Sequence, residues 1–376
     1  MTMNRRHFSL AAGAAATLGG FGIARAQGDT PLVLGQSAPF SGPSAQLGIQ
    51  FNQGAKLFLD QYNAQPGRRN LVIKNLDDGY EPDRCAANTQ KFIEEDVFAL
   101  FGYVGTPTSL AALPLAVKDK VPFVAPFTGA MSLREPFQKN VFHLRASYND
   151  ETALMVKQLT HLGLKKIAVF YQNDAYGKAG LDGVTLALGE QQLKPVALAT
   201  VERNSADVAQ AVKKIVAARP DAVVQVGAYK ACATFIREAR KAGYGGTFFN
   251  MSFVGTQALA DELGKDAAGV MITQVVPSPY NQANALAREF AEAVRKAGNG
   301  ASANFSSMEG YLAAKVLVEG LRKAPGKPAR ESLIAGLESI DRQQFGGFEV
   351  SFSSKNHVAS KFVELSMLTG DGRVRT

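Results

Sequence analysis

Apolar residues fall along this chain in two registers that alternate. Short unbroken runs rich in Val, Ile, Leu and Phe stand at 32–38, 71–76, 97–103 and 121–125. Between them, 48–62, 82–95 and 108–118 place apolar residues at helical spacing. In the first of these, Ala55, Phe58, Leu59 and Tyr62 share one face. Unbroken apolar strands separated by amphipathic helices predict a parallel sheet covered on both faces. The pattern then restarts. Strands are expected at 141–145, 166–171, 196–200, 222–226, 246–250 and 270–275. Helices at 151–161, 177–188, 207–218, 229–242 and 257–263 lie between them. After Pro277-Ser278-Pro279 come amphipathic helices at 285–297, 307–323 and 330–339, then two apolar alternations at 347–352 and 361–368.

The fold class is therefore α/β, with two doubly wound parallel-sheet lobes. The late helices need an apolar surface to cover, and the 277–279 kink suggests a return to the first unit. This gives interleaved lobes: residues 27–145 plus 278–349, and residues 146–277 plus 350–376. Three crossovers, near Ala146, near 276–278 and near Val350, would join them. Such a hinge permits closure around a ligand.

The start of the chain reads as an address. Arg5-Arg6 precede an apolar stretch at 8–24, no Asp or Glu occurs before Asp29, and Ala24-Arg25-Ala26 offers a small-x-small cut. Residues 1–26 are expected to be a signal peptide cleaved after Ala26. The stretch is short and Gly/Ala-rich, weak beside the roughly 20 apolar residues of a membrane span. The paired arginines resemble the twin-arginine export signature, with Asn4, Ser9 and Leu10 departing from it; the general secretory route stays open. Both routes predict a periplasmic, soluble product.

Removing Arg5, Arg6 and Arg25 lowers the formal net charge from +8 to +5. No Lys/Arg block accompanies that excess, so nucleic acid is not an expected partner. The 376 residues suffice for two full cores. Cys85 and Cys232 stand far apart and read as lone thiols, buried or semi-buried. His143, His161 and His357 lie at no metal-ligand spacing, so neither a metal nor a cofactor is expected.

In open parallel sheets, ligands bind beyond the carboxyl ends of the strands. The junction Gly102-Tyr103-Val104-Gly105-Thr106-Pro107-Thr108-Ser109 reads as a helix start, with Thr106 as N-cap and Pro107 at the first helical position. The N–H groups of Thr108 and Ser109 would then be free for an anion. The next strand ends at Ala125-Pro126-Phe127-Thr128, where Phe127 reads equally as pocket or core. Asn173-Asp174-Ala175-Tyr176, Gly227-Ala228-Tyr229 and Met251-Ser252-Phe253 end strands of the second unit with an aromatic each. Together these rings would form an apolar wall with polar tips. Asp77-Asp78 reads as a turn and cap before Glu81-Pro82. No nucleophile elbow, zinc helix or Walker loop occurs, which favours binding over turnover.

Several segments resemble one family. Gln36-Ser37-Ala38-Pro39-Phe40-Ser41-Gly42-Pro43, Asp77–Pro82, the Gly102–Ser109 junction and Glu309-Gly310-Tyr311 look like the substrate-binding proteins of branched-chain amino acid ABC transporters. The resemblance runs from Leu32 to about Leu368. It implies the type I periplasmic binding protein fold, in which a hinge of three crossovers joins two α/β lobes. It also implies no catalysis. The site residues it implies are Thr106, Thr108, Phe127 and Thr128, with Ala125 beside them, for a ligand carboxylate. From the second lobe the resemblance matches Tyr176 and Tyr229, and Ser252 and Phe253, read from their own strand end, would complete the site. Amino-acid binders of this family pair the ligand ammonium with an acid after the strand corresponding to 246–251, but here that stretch reads Asn250-Met251-Ser252-Phe253. A solute with a carboxylate or amide head and an apolar or aromatic body, such as an aromatic or other organic acid or an amide, fits such a pocket without a buried unpaired ammonium, and an amino acid stays open. An acid from elsewhere, such as Asp78, Asp174 or Glu309, would restore amino-acid binding. The expected partner is a membrane ABC permease, and the expected state a monomer. A ligand-sensing protein for a signalling receptor and an exported enzyme on this fold are the alternatives.

Overall fold

The computed structural model describes residues 30–376 except Asn299. The expected leader and its cleavage site lie outside the described residues.

The first lobe is built from β1 (Leu32–Ala38), α1 (Ala45–Asn63), β2 (Leu71–Asp77), α2 (Pro82–Glu94), β3 (Ala99–Phe101), α3 (Thr106–Lys118), β4 (Phe123–Val124) and β5 (Val141–Phe142). Its parallel sheet has the order β2-β1-β3-β4-β5. β1 pairs with β2 along its full length, from Leu32 opposite Leu71 to Ala38 opposite Asp77. β3 and β4 are shorter than their apolar runs for local reasons. Gly102 turns β3 out of the sheet at φ 61°, and Ala125 leaves β4 in the left-handed region at φ 53°.

The second lobe holds α4 (Tyr148–His161), β6 (Ile167–Gln172), α5 (Ala175–Glu190), β7 (Ala197–Val201), α6 (Ala209–Ala217), β8 (Ala222–Val226), α7 (Tyr229–Lys241), β9 (Thr247–Asn250), α8 (Thr256–Leu263) and β10 (Met271–Gln274). Every residue of β8 is buried, as a strand covered on both faces requires. The chain then returns to the first lobe as α9 (Ala285–Ala297), α10 (Phe305–Lys323) and α11 (Arg330–Glu338), followed by a hairpin of β11 (Gln343–Phe345) and β12 (Phe348–Val350). It ends in the second lobe with β13 (Glu364–Leu368) and β14 (Val374–Arg375), which extend that sheet as antiparallel strands.

Helix α10 lies against α1 at a contact that only glycine allows. A Cβ on Gly54 would stand 1.7 Å from the Ser307 carbonyl oxygen, and one on Gly310 would stand 2.0 Å from that of Phe51. This backbone-to-backbone seat fixes Glu309 at a set depth beside the hinge.

The third crossover falls later than Val350. After β12 the chain still follows the first lobe, where the His143 N–H donates to the His357 carbonyl at 2.8 Å and the Ala359 N–H to that of His143 at 2.8 Å. Phe352 packs edge-on to Phe142, and the His357 ring stacks on Phe142 at 3.8 Å. The strap covers β5, whose backbone would otherwise form an open sheet edge. The chain leaves the first lobe only after Ala359.

Candidate interlobe site

The carboxyl ends of both parallel sheets face each other across the hinge, and the loops that follow them meet there. The line of hydroxyls begins at α3. Gly105, at φ 99°, is the N-cap, and Thr106 is the first helical residue. This corrects the expected capping role of Thr106. The left-handed turn at Gly105 moves the helix start back by one position. The Thr106 hydroxyl is left free of capping and meets that of Thr128 at 2.7 Å, while the Thr128 hydroxyl donates to the Tyr148 hydroxyl at 3.3 Å. Thr108 points its hydroxyl back to the Val104 and Gly105 carbonyls. The Ser109 N–H donates to the Gly105 carbonyl at 3.1 Å, so it is not available to an anion as expected.

Aromatic rings close around this line. Phe253, on a short 3-10 turn after β9, lies 4.5 Å from Tyr176, 5.7 Å from Phe127 and 6.0 Å from Tyr80 between ring centroids. Tyr148 lies 5.4 Å from Tyr176. Phe127 also meets Phe51 of the first-lobe core, so it serves as wall and core at once. The Tyr176 hydroxyl is buried with no hydrogen-bond partner among the described residues. Ala125 is buried two residues before Phe127, with its backbone in the left-handed region. Tyr229 sits apart from this ring cluster, at the edge of the cleft, where its hydroxyl accepts from the Gln46 N–H at 3.4 Å.

Charges lie deeper. Arg145, in the first crossover, forms a two-pronged pair with Glu309 at 2.8 and 2.7 Å, both side chains almost wholly buried. Its guanidinium lies 4.1 Å from the Phe127 ring centroid and donates to the Ser252 hydroxyl at 3.2 Å. Burial alone would lower its pKa, but the Glu309 carboxylate outweighs this and holds it above the ordinary value. Arg134 braces the same crossover by donating to the Ala130 and Arg145 carbonyls. Glu151, in the first turn of α4, accepts from the Ser252 N–H at 2.8 Å, the Ser252 hydroxyl at 3.0 Å and the Thr273 hydroxyl. Burial pushes the Glu151 carboxyl upward.

The lobes are closed on one another. Arg203 reaches Glu81 at 2.7 Å, and the Asn204 amide donates to the Gly79 carbonyl at 2.9 Å and to Glu81 at 2.7 Å. Gln172 donates to the Tyr80 hydroxyl at 3.3 Å. Tyr80 and Asn204, on opposite sides of this junction, both have left-handed backbones, at φ 66° and 58°. The Asp78 carboxylate holds the Tyr80 turn by accepting its N–H at 2.8 Å. Two open depressions, of about 570 and 380 Å³, lie outside the cleft, against α6 and α7 and against α1. Neither is lined by the residues of the ring cluster.

Asp77 and Asp78 give stability opposite pH dependences. Burial raises the Asp78 carboxyl from 3.8 to about 6, more than the Ser37 and Tyr80 donors lower it. For Asp77 burial is outweighed by donors from Ser41, Phe40, Gly79 and Arg84, which hold it at about 2. The folded state binds the Asp78 proton more tightly than the unfolded chain does. Its contribution is therefore fully present below pH 3.8 and is lost as pH rises toward 6. That of Asp77 is present above pH 3.8 and is lost as pH falls toward 2. The melting temperature of Asp78→Asn relative to the unaltered protein is expected to rise as pH goes from 4 to 7. A pH-independent difference in scanning calorimetry would count against this.

A model of the periplasmic binding protein family matches residues 31–372. The chain belongs to the periplasmic binding protein family. A crystal structure of a possible leucine/isoleucine/valine-binding protein from Rhodopirellula baltica is 34% identical, with a TM-score of 0.86, covering 92% of this chain and 97% of that one. A substrate-binding periplasmic protein from Ralstonia solanacearum is 30% identical, with a TM-score of 0.85 over 91% of this chain and 99% of the other. The Leu/Ile/Val-binding protein homolog 7 of Brucella suis is 25% identical over 94% of this chain and 92% of its own length. These relatives of the periplasmic binding protein family are binding proteins, not enzymes. The interleaved α/β lobes described above are the type I fold of this family. The family places the protein in the periplasm as a substrate-binding component of transport. Among the described residues no helix is long and apolar enough to cross a membrane, and no group of three or more His, Cys, Asp or Glu is placed to hold a metal ion.

Proposed function

We propose that this protein is exported with cleavage after Ala26 and captures a small carboxylate- or amide-bearing solute between its lobes. It then delivers that solute to an ABC permease. The Thr106–Thr128–Tyr148 hydroxyl line carries this reading, because it is buried between rings supplied by both lobes. Hydroxyls donate to a carboxylate or amide oxygen, and the rings enclose an apolar body. Closure over the ligand is needed, since the residues of the line have no exposed surface with the lobes together. The names of the Rhodopirellula and Brucella relatives support a solute of amino-acid size.

A thermal-shift panel of amino acids, aromatic acids, short-chain acids and amides tests the reading, with each solute assayed for consumption. Stabilisation without consumption supports a carrier. Turnover of the stabilising solute would favour an enzyme instead. Thr106→Val then probes the hydroxyl line. Because Gly105 and not Thr106 caps α3, the stability cost should be confined to the buried hydrogen bond with Thr128, about 0.5–1.5 kcal/mol. Loss of a hydrogen bond to a charged group, about 1.5–3 kcal/mol, should weaken carboxylate binding by roughly ten- to hundredfold. Unchanged affinity by calorimetric titration removes Thr106 from the site.

A further inference from the structure

Glu151 was not among the acids expected to reach the cleft, and Asp78, Asp174 and Glu309 are each engaged elsewhere. Asp78 holds the Tyr80 turn, Asp174 caps α5 and pairs with Arg203, and Glu309 is matched by Arg145. Glu151 differs from them. Its carboxylate lies over the carboxyl ends of β9 and β10, held by Ser252 and Thr273. It forms no ion pair with any described residue. Arg145 is held off by the intervening Ser252 hydroxyl and is already neutralised by Glu309.

A wholly buried carboxylate whose nearest cation, Arg145, is committed to another acid is only partly compensated, which is costly in a closed protein. Among the described residues its Ser252-facing oxygen accepts one hydrogen bond, whereas a carboxylate oxygen has two lone pairs. The second observation lies beside it. The buried Tyr176 hydroxyl has no partner among the described residues. Tyr176 in turn packs on Phe253, the residue after Ser252. An acceptor with one position to spare and an unmatched hydroxyl thus share the second-lobe side of the cleft, opposite the Thr106–Thr128 hydroxyls.

We propose, resting on the carrier reading above, that Glu151 is a specificity-determining residue: it demands a donor nitrogen on the ligand and rejects the matching simple acid. The nitrogen is an ammonium, amidinium or amide NH2, bound at the free acceptor position of Glu151 with the Tyr176 hydroxyl beside it. The hydroxyl line takes the ligand's oxygen end. This reverses the expectation that no acid is available to the ligand. Periodicity could not show it, because residue 151 falls in the first helical turn, where an acid is ordinarily explained by the helix dipole.

Calorimetric titration with matched ligand pairs tests the assignment on the intact protein. The pairs are leucine with 4-methylpentanoate, phenylalanine with 3-phenylpropanoate, and 3-phenylpropanamide with the same acid. The nitrogen-bearing member of at least one pair should bind ten times or more tighter than its acid. Glu151→Gln should shrink that ratio at least fivefold, and Glu151→Asp should recover part of it. A merely structural role for Glu151 would weaken both members alike and leave the ratio unchanged, which overturns the proposal. Acids binding as tightly as their nitrogen-bearing partners in the unaltered protein overturn it too, while the carrier reading stands. If neither series binds, the carboxylate- or amide-carrier reading fails and the Glu151 assignment fails with it.

Discussion

Replacing Glu309 with Ala is expected to cost about 3–5 kcal/mol of folding stability, because it strands a buried guanidinium. Arg145 has no route to water, with its side chain 1% exposed and its flat face against Phe127. Its remaining partner, the Ser252 hydroxyl, is neutral. Coupled replacement of both ions, as Arg145→Met with Glu309→Leu, should cost far less than the single change, since it removes the desolvation penalty along with the attraction. A double-mutant cycle in urea measures this. A Glu309→Ala loss below about 1 kcal/mol would mean that water reaches Arg145 after all.

Phe253→Ala should have the largest effect on ligand affinity. The ring belongs to the second lobe but is clasped by Tyr80 and Phe127 of the first, and these contacts exist only when the lobes are together. Truncating a buried Phe costs about 3–5 kcal/mol, part of it lost within the second lobe itself through Tyr176. On the order of 2 kcal/mol should fall on closure alone, or about thirtyfold in affinity. Solution scattering should show a larger radius of gyration for the variant at saturating ligand. Tyr229→Phe, at the cleft edge, serves as the contrast and should lose far less. Equal losses would place the ligand nearer the edge than the ring cluster.

The sheets were legible because buried parallel strands are written as unbroken apolar runs. β1 and β8 follow theirs residue for residue, and α9 follows its amphipathic stripe. The ends were less legible, because they depend on backbone states that composition hints at only weakly. Ala125 adopts a left-handed conformation that nothing in its side chain requires, and Gly105 takes a cap expected of Thr106. The rings at Phe127, Tyr176 and Phe253 could be placed by their position after strands. Tyr80 could not, since it enters from a turn read as a capping element. The buried charges were the hardest. Arg145 and Glu309 are 164 positions apart, and each alone resembles a surface residue at the end of an element. Only folding shows that they meet.

The strap at residues 351–359 has a mechanical consequence. Its backbone is bonded to His143 just before each chain enters the second lobe, one at Ala146 and the other after Ala359. Two crossovers tied side by side can bend as a pair, but neither can slide along the other without breaking those bonds. The lobes are therefore joined as by the two knuckles of a door hinge, which leaves swinging about one axis as the easy motion and makes twisting or shearing stiff. A carrier so constrained would present the same rim of its open mouth to whatever receives its cargo each time it swings wide.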